Sequence, residues 1–139
     1  MQAIYIINGP NLNLLGKREI DIYGNVSFDL YFEQLKHTFG QTKLYYFQSN
    51  HEGRIIDKLQ EIGFSDIGIV MNAAGYTHTS IALGDTVAAI EAPVVEVHIS
   101  DISNREDFRR HSYVKQHAVH FINGKGLAGY DEAINFLIQ

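Results

Sequence analysis

The sequence predicts an α/β fold in which helices cover both faces of a parallel β-sheet. Short, mostly apolar runs alternate along the whole chain with segments whose apolar residues recur at helical spacing. Alternation of this kind is typical of strand–helix–strand units and of parallel sheets. Because 139 residues correspond to about one typical domain, a single domain covering residues 1–139 is expected.

The first strand, the first helix and the second strand are predicted from composition and from boundary residues. Residues 3–7 form a β-branched apolar run, which favours a buried strand. Residues 27–39 have helical spacing, with Ser27 suited to cap the start and Gly40 just past the end. Residues 43–47 return to an apolar and aromatic run that predicts a second strand.

The central elements continue the alternation. Residues 52–62 predict a helix that ends at Gly63, and residues 67–71 predict a buried third strand. Residues 79–90 predict a third helix, which must end before Pro93 because proline cannot continue a helix.

The last elements complete the pattern. Residues 94–99 predict a fourth strand, residues 103–111 a short helix, residues 118–122 a fifth strand and residues 128–137 a closing helix. Five strands with helices between them at this chain length predict a flavodoxin-like three-layer sandwich with a five-stranded parallel sheet.

One connection is longer than the fold requires. Residues 9–26, which we call the lid segment, join the first strand to the first helix and are rich in Asn, Arg and Tyr. Connections of this length in compact domains are usually lids or binding loops. We therefore predict a functional lid, with a surface excursion as the alternative.

Polar side chains follow every predicted strand. The carboxyl ends of parallel strands meet at one edge of a doubly wound sheet, where ligands bind. The polar residues at these ends are Asn8 and Asn11; Gln48, Ser49 and Asn50; Asn72; Glu96, His98 and Ser100; and Asn123. Asn and Ser are also common after strands because they form turns and caps. This alternative accounts well for any single residue of the set, but less well for all of them together.

The fourth strand carries the most informative pattern. A buried parallel strand should be apolar on both faces, yet alternation places Glu96, His98 and Ser100 together on one face. A carboxylate two residues from a histidine on one face can orient the imidazole and favour its charged form. His98 is therefore a candidate general acid or base, with a purely structural Glu–His pair as the alternative.

Composition excludes several classes of protein. The net charge of −5, from 11 basic and 16 acidic residues, argues against a nucleic-acid partner. The local basic excess at Arg105, Arg109 and Arg110 still suits a small anionic ligand. The chain has no cysteine, no long apolar run and no signal-peptide pattern at its start. A cytoplasmic protein without a membrane segment is expected.

Neither imine chemistry nor a metal site is expected. The lysines all lie in polar surroundings, whereas a Schiff-base lysine needs a desolvated pocket. His51 and Glu52 do not continue into HExxH, and His117 and His120 lack an evident third ligand. Residues 124–129 match GxGxxG, but too close to the end of the sequence for a dinucleotide fold, and we interpret them as a tight strand-to-helix turn that can contribute backbone N–H groups.

With these residues assembled, the sequence closely resembles the type II 3-dehydroquinate dehydratase family. The matching segments span nearly the whole chain in the family's order: INGPNLNLLGKRE, YG, QSNHEG, NAAGYTHTSIALGD, EVHISD, REDFRRHS and GKGLAGY. The resemblance implies a flavodoxin-like fold in a dodecamer built from trimers. It also implies elimination of water from 3-dehydroquinate to give 3-dehydroshikimate, in the shikimate pathway, with no metal, cofactor or imine.

The resemblance also assigns roles to residues. Tyr23 would be the base that forms an enolate, with Arg18 beside it to favour the phenolate, since free tyrosine has a pKa near 10. Asn11 would hold a water against the enolate, and His98, supported by Glu96, would protonate the leaving hydroxyl. The substrate-binding residues would be Asn72, His78, Ile99, Ser100 and Arg109, together with Asp85, which would reach a neighbouring subunit's site. Read singly, His78 could simply start a helix and Arg109 could be a solvated charge.

Four departures from the family's pattern concern the surroundings of these residues. They are Ile20 at a common proline position, Gly84 where a larger residue is frequent, Asp101 for an asparagine and Ser103 for a histidine. Two other functions stay open: a flavodoxin-like binding or signalling domain, and an inactive family member kept for assembly. A flavin binder should purify yellow, and a phospho-receiver should carry acids where Asn8 and Asn72 stand.

Overall fold

Five parallel strands form the central sheet of the computed structural model, which describes residues 1–17 and 20–139, without the side chains of Ile22 and Tyr23. The strands are β1 (Ala3–Asn8), β2 (Leu44–Gln48), β3 (Ile67–Asn72), β4 (Val94–His98) and β5 (His120–Asn123). Their order in the sheet is β2-β1-β3-β4-β5, and every pairing is parallel. This order reverses at β1, as in flavodoxin-like proteins, and confirms the predicted fold class.

Helices cover both faces of the sheet. They are α1 (Ile20–Tyr23), α2 (Phe28–Thr38), α3 (Glu52–Ile62), α4 (Tyr76–Thr79), α5 (Ile81–Ala89) and α6 (Ala128–Ile138). Helices α3 and α5 pack on one face, and α2 and α6 pack on the other. Among the helices of the described residues, none has the length and apolar character needed to cross a membrane.

The period of two along each strand divides the core between these faces. In β1, Ala3 and Ile7 join the core under α3 and α5, whereas Ile4 and Ile6 join the core under α2 and α6. Each fully buried isoleucine contributes about 1.5–3 kcal/mol to folding. Burial on both faces explains why the strands read as continuous apolar runs rather than as alternating ones.

The predicted helix at residues 103–111 is wrong. This stretch contains two single 3-10 turns, Ile102–Asn104 and Asp107–Arg109, separated by extended backbone at Arg105. The carboxylate of Asp101 accepts hydrogen bonds from the backbone N–H of Ser103 at 3.0 Å and from the side-chain amide of Asn104 at 2.8 Å. Side chains that bind the local backbone in this way compete with a continuous helix.

Two other boundaries differ from the prediction. The helix expected at residues 79–90 is present as α5 but begins at Ile81, because Ser80 caps it by accepting the N–H of Leu83 at 2.9 Å. The short helix α4 that precedes Ser80 was not predicted. The lid segment is not without regular structure, since it contains the 3-10 turn Leu12–Leu14 and helix α1. The predicted cap of α2 is confirmed: Ser27 accepts the N–H of Leu30 at 3.2 Å.

Candidate active site

A polar cleft of about 170 Å³ lies at the carboxyl ends of β1, β3 and β4, where the strand order reverses. Ligands of doubly wound sheets bind at this position. The residues that line it are Pro10, Asn11, Leu12, Asn72, Ala74, Gly75, His78, His98, Ile99, Ser100, Ile102, Arg105 and Arg109. The predicted convergence of strand ends is therefore confirmed for Asn11, Asn72 and His98.

A buried acid–base pair forms one wall of the cleft. Nε2 of His98 lies 2.5 Å from Oε2 of Glu96, and both side chains are almost inaccessible to solvent. Because Nε2 is engaged with the carboxylate, Nδ1 is the ring nitrogen available to a ligand. The pair matches the geometry predicted from the face of the fourth strand, with His98 in the cleft and Glu96 beneath it.

Two hydroxyl groups that the sequence analysis did not identify also hold Glu96. Thr77 in α4 donates to Oε2 of Glu96 at 2.7 Å, and Ser112 donates to the same oxygen at 2.7 Å. Burial alone would raise the pKa of Glu96, but the hydrogen bonds from His98, Thr77 and Ser112 outweigh it and lower the pKa. Glu96 is therefore ionised beneath the imidazole at neutral pH.

This arrangement makes stability depend on pH. The pKa of Glu96 is lower in the folded chain than its ordinary value of 4.5, so the unfolded state binds more protons between the two values. The stabilisation is complete above pH 4.5 and is lost as the pH falls through the folded pKa. Glu96→Gln should lower the free energy of unfolding at pH 7 by about 2–4 kcal/mol, and this deficit should shrink on acidification.

Urea unfolding of both proteins between pH 7 and pH 3 measures this deficit. The matched control is Glu33→Gln, because Glu33 is exposed and its pair with Lys36 lies at the surface. The deficit of this variant should stay near zero. A deficit of Glu96→Gln that does not change with pH would contradict an ionised Glu96.

His78 stands opposite the pair. Its Nδ1 donates to the backbone carbonyl of His111 at 2.7 Å, and its ring centroid lies 6.3 Å from that of His98. Burial lowers the pKa of His78, and the charges of His98 and Arg109 lower it further. His78 therefore presents a neutral imidazole to the cleft, and because its proton is on Nδ1, its Nε2 can only accept a hydrogen bond.

Two arginines give the cleft its positive charge. Arg109 was predicted, whereas Arg105 was noted only as part of a basic excess, although it lines the same cleft. Nε of Arg109 donates to Glu106 at 2.9 Å, and Nη1 of Arg105 donates to the hydroxyl of Ser100 at 3.4 Å. These contacts place guanidinium groups at the mouth of the cleft, which suits an anionic ligand.

The loop that carries these arginines is tied to the last strand. Asn123, at the end of β5, accepts the N–H of Ile102 at 2.9 Å and donates to Asp101 at 2.7 Å. The turn after β5 is tight, with positive φ at Gly124 and Gly126, as predicted. Its N–H groups at these two glycines donate to the carbonyls of His98 and Ile99, so they serve the backbone rather than a ligand.

The base of the lid segment is held by amide groups from the end of β2 and from the residues that follow it. The N–H of Asn11 donates to Oδ1 of Asn50 at 3.0 Å, and Nε2 of Gln48 donates to the same oxygen at 3.2 Å. Asn11 has a left-handed backbone, with φ of 71°, a conformation that asparagine tolerates better than most residues. These bonds direct the start of the lid segment along the cleft.

Of the remaining predicted site residues, some line the cleft, one does not, and two have side chains outside the described part of the structure. Ile99 and Ser100 line the cleft. Asp85 lies exposed on α5, away from the cleft of its own chain. Arg18 and the side chain of Tyr23 lie outside the described residues. Within the described part of the chain, no group of three or more His, Asp or Glu side chains could hold a metal ion.

The fold and the cleft define a flavodoxin-like α/β protein with an acid–base pair at the point where the strand order reverses. The family model described as "Dehydroquinase class II" matches residues 2–138. The chain therefore belongs to the class II dehydroquinases, the enzyme family that it was predicted to resemble.

Similar proteins agree with this assignment over their full lengths. The "3-dehydroquinate dehydratase" of Clostridium botulinum (strain Okra / Type B1) is 46% identical over 141 residues, covering 100% of this chain and 96% of the relative. The crystal structure of the type II dehydroquinase from Butyrivibrio crossotus DSM 2876 has a TM-score of 0.95 at 42% identity, covering 99% of this chain and 98% of that one. The type II dehydroquinase from Propionibacterium acnes has a TM-score of 0.94 at 35% identity, covering 99% and 96%.

Proposed function

We propose that this chain eliminates water from 3-dehydroquinate to give 3-dehydroshikimate, a step of the shikimate pathway. The observation that carries the proposal is the buried Glu96–His98 pair, which opens into a positively charged cleft in a class II dehydroquinase chain. The carboxylate of Glu96 fixes the orientation of the His98 imidazole, and a positioned imidazole in a cleft can act as the general acid for a leaving hydroxyl.

The proposed reaction has two proton transfers. The phenolate of Tyr23, favoured by the charge of Arg18, removes a proton from the carbon beside the ketone, and the electron pair forms an enolate. A water held by Asn11 donates a hydrogen bond to the enolate oxygen. The enolate then re-forms the ketone and expels the hydroxyl group, which takes a proton from His98 and leaves as water.

The proposed binding contacts follow from the walls of the cleft. The main-chain N–H groups of Ile99 and Ser100 would bind the substrate carboxylate, and Arg109 would contact a ring hydroxyl. Asn72 and His78 line the cleft between the lid segment and the arginines and would bind further oxygens. The reaction as proposed uses no metal, cofactor or imine.

The assembly and location are also proposals. We propose a dodecamer built from trimers in the cytoplasm, in which Asp85 of one subunit reaches the site of its neighbour. Two observations support this role of Asp85: it is exposed on α5, and its side chain does not line the cleft of its own chain.

An absorbance assay tests the proposed function. Mixing the full chain with 3-dehydroquinate should produce the ultraviolet absorbance of a conjugated enone, and treatment with borohydride in the presence of substrate should leave the activity unchanged. Borohydride reduces an imine to a stable amine, so loss of activity would indicate a Schiff-base lysine. Absence of enone formation would refute the proposed function.

A further inference from the structure

A buried chain of hydrogen bonds runs beneath the floor of the cleft and joins four secondary-structure elements. Tyr130 in α6 donates to Oδ1 of Asn8 at 2.8 Å and accepts from Nδ2 of Asn72 at 3.1 Å. Nδ2 of Asn8 in turn lies 3.4 Å from the hydroxyl of Tyr46 in β2. The exposed fractions of Asn8, Tyr130 and Asn72 are 0%, 0% and 3%, so solvent competes little for the hydrogen bonds of this network.

The donor and the acceptor of each hydrogen bond in this network are determined by a contact at one end of it. The backbone N–H of Ala74, which has a left-handed φ of 54°, donates to Oδ1 of Asn72 at 3.0 Å. A backbone N–H can only donate, so Oδ1 faces Ala74 and the amide nitrogen of Asn72 faces Tyr130. The phenol must then accept from Asn72, and its own hydrogen is directed to Asn8.

This direction determines what Asn72 presents to the cleft. An amide nitrogen carries two hydrogens, and Tyr130 takes one of them. Asn72 lines the cleft, so its second hydrogen is available to a ligand. At this point the cleft therefore offers a hydrogen-bond donor, which selects an oxygen acceptor of the ligand.

We propose that Tyr130 is a positioning residue that, together with the N–H of Ala74, holds the amide of Asn72 in place as a donor to the substrate. The identity of that substrate rests on the proposed function. Burial raises the pKa of Tyr130, so the phenol keeps its proton. The donors and acceptors of the hydrogen-bond network are therefore the same across the physiological pH range. No other hydroxyl of the described residues is hydrogen-bonded to the amide of Asn72.

Tyr130→Phe isolates the hydroxyl. The ring of Tyr130 packs edge-on against Phe28, with centroids 4.8 Å apart, and phenylalanine keeps this contact. Loss of the hydroxyl leaves the amide nitrogen of Asn72 without its buried acceptor, so the amide is held on one side only, by the N–H of Ala74. KM for 3-dehydroquinate should rise about tenfold, the effect of one lost hydrogen bond, while kcat changes much less because the reacting groups are untouched.

A matched control and a double variant distinguish two effects of Tyr130→Phe: a change in the position of the Asn72 amide, and a general loss of packing of α6. Tyr31 also donates its hydroxyl to this helix, at Asp131, the neighbour of Tyr130, but Tyr31 does not line the cleft, and Tyr31→Phe should leave KM unchanged. In an Asn72→Ala background, Tyr130→Phe should raise KM no further. Equal changes in KM for the two tyrosine variants, or additive changes in the double variant, would overturn the proposal.

A second measurement does not depend on activity. In the full-length protein, the side-chain amide of Asn72, identified by its absence from NMR spectra of Asn72→Ala, should exchange slowly with solvent. Tyr130→Phe should speed this exchange and shift the signal, whereas Tyr31→Phe should not. An unchanged amide in Tyr130→Phe would refute the role of Tyr130, while a wild-type chain inactive on 3-dehydroquinate would refute the proposed function alone.

Discussion

Replacing His98 with alanine should lower kcat for 3-dehydroquinate at least about 100-fold, the usual contribution of a positioned general acid. The imidazole is held by Glu96 at 2.5 Å and lines the cleft, so its removal takes away the proposed proton donor for the leaving hydroxyl. Binding should change less, because the arginines and Asn72 stay in place. Steady-state kinetics by enone absorbance measures both quantities.

Two further measurements sharpen this test. His37→Ala removes an exposed imidazole from α2 and should keep wild-type kcat. Added imidazole should restore part of the activity of His98→Ala, because alanine leaves space beside a carboxylate that Thr77 and Ser112 still hold. Wild-type turnover in His98→Ala would eliminate His98 as the acid.

Replacing Tyr23 with phenylalanine should also lower kcat at least about 100-fold, because a phenyl ring cannot accept the proton that forms the enolate. The pH profile carries additional information. In the wild-type chain kcat/KM should rise with pH as the phenol of Tyr23 ionises, and this rise should be absent in the variant. Kinetics from pH 5 to pH 10 measures the difference.

The matched control for this variant is Tyr45→Phe, which removes a phenol from the exposed side of β2, where its ring stacks on Tyr5. This protein should keep both the turnover and the pH profile of the wild type. If Tyr23→Phe turned over substrate as fast as the wild type, the base would have to be another group.

The fold could be predicted from the sequence because the three central strands, β1, β3 and β4, are buried on both faces and are therefore mostly apolar. The stretch from residue 103 to residue 111 could not, since its outcome depends on Asn123, a residue distant in sequence, which binds Asp101 and Ile102. Helical spacing is a property of one segment. It does not show which side chains elsewhere in the sequence will form hydrogen bonds with the backbone of that segment.

In the site too, the features set by the sheet could be predicted from the sequence, whereas contacts between distant segments could not. Asn72 and His98 could be placed together because the ends of parallel strands meet at one edge of the sheet. Thr77 and Ser112 could not be assigned to Glu96, since a hydroxyl that binds a buried carboxylate has the same local sequence as one that caps a helix. The roles of Arg18, Tyr23 and Asp85 stay predictions. The side chains of Arg18 and Tyr23 lie outside the described residues, and the role of Asp85 depends on the proposed assembly.

The bracing of the arginine loop by Asn123 makes assembly of the cleft depend on residues that are distant in sequence. The side chains that line the cleft fall between Pro10 and Arg109, but β5 holds the arginine loop and α6 holds Asn72. The cleft therefore takes its final shape only after β5 and α6 have folded onto the rest of the molecule. A ligand that binds this folded form and not the unfolded chain stabilises the protein by mass action.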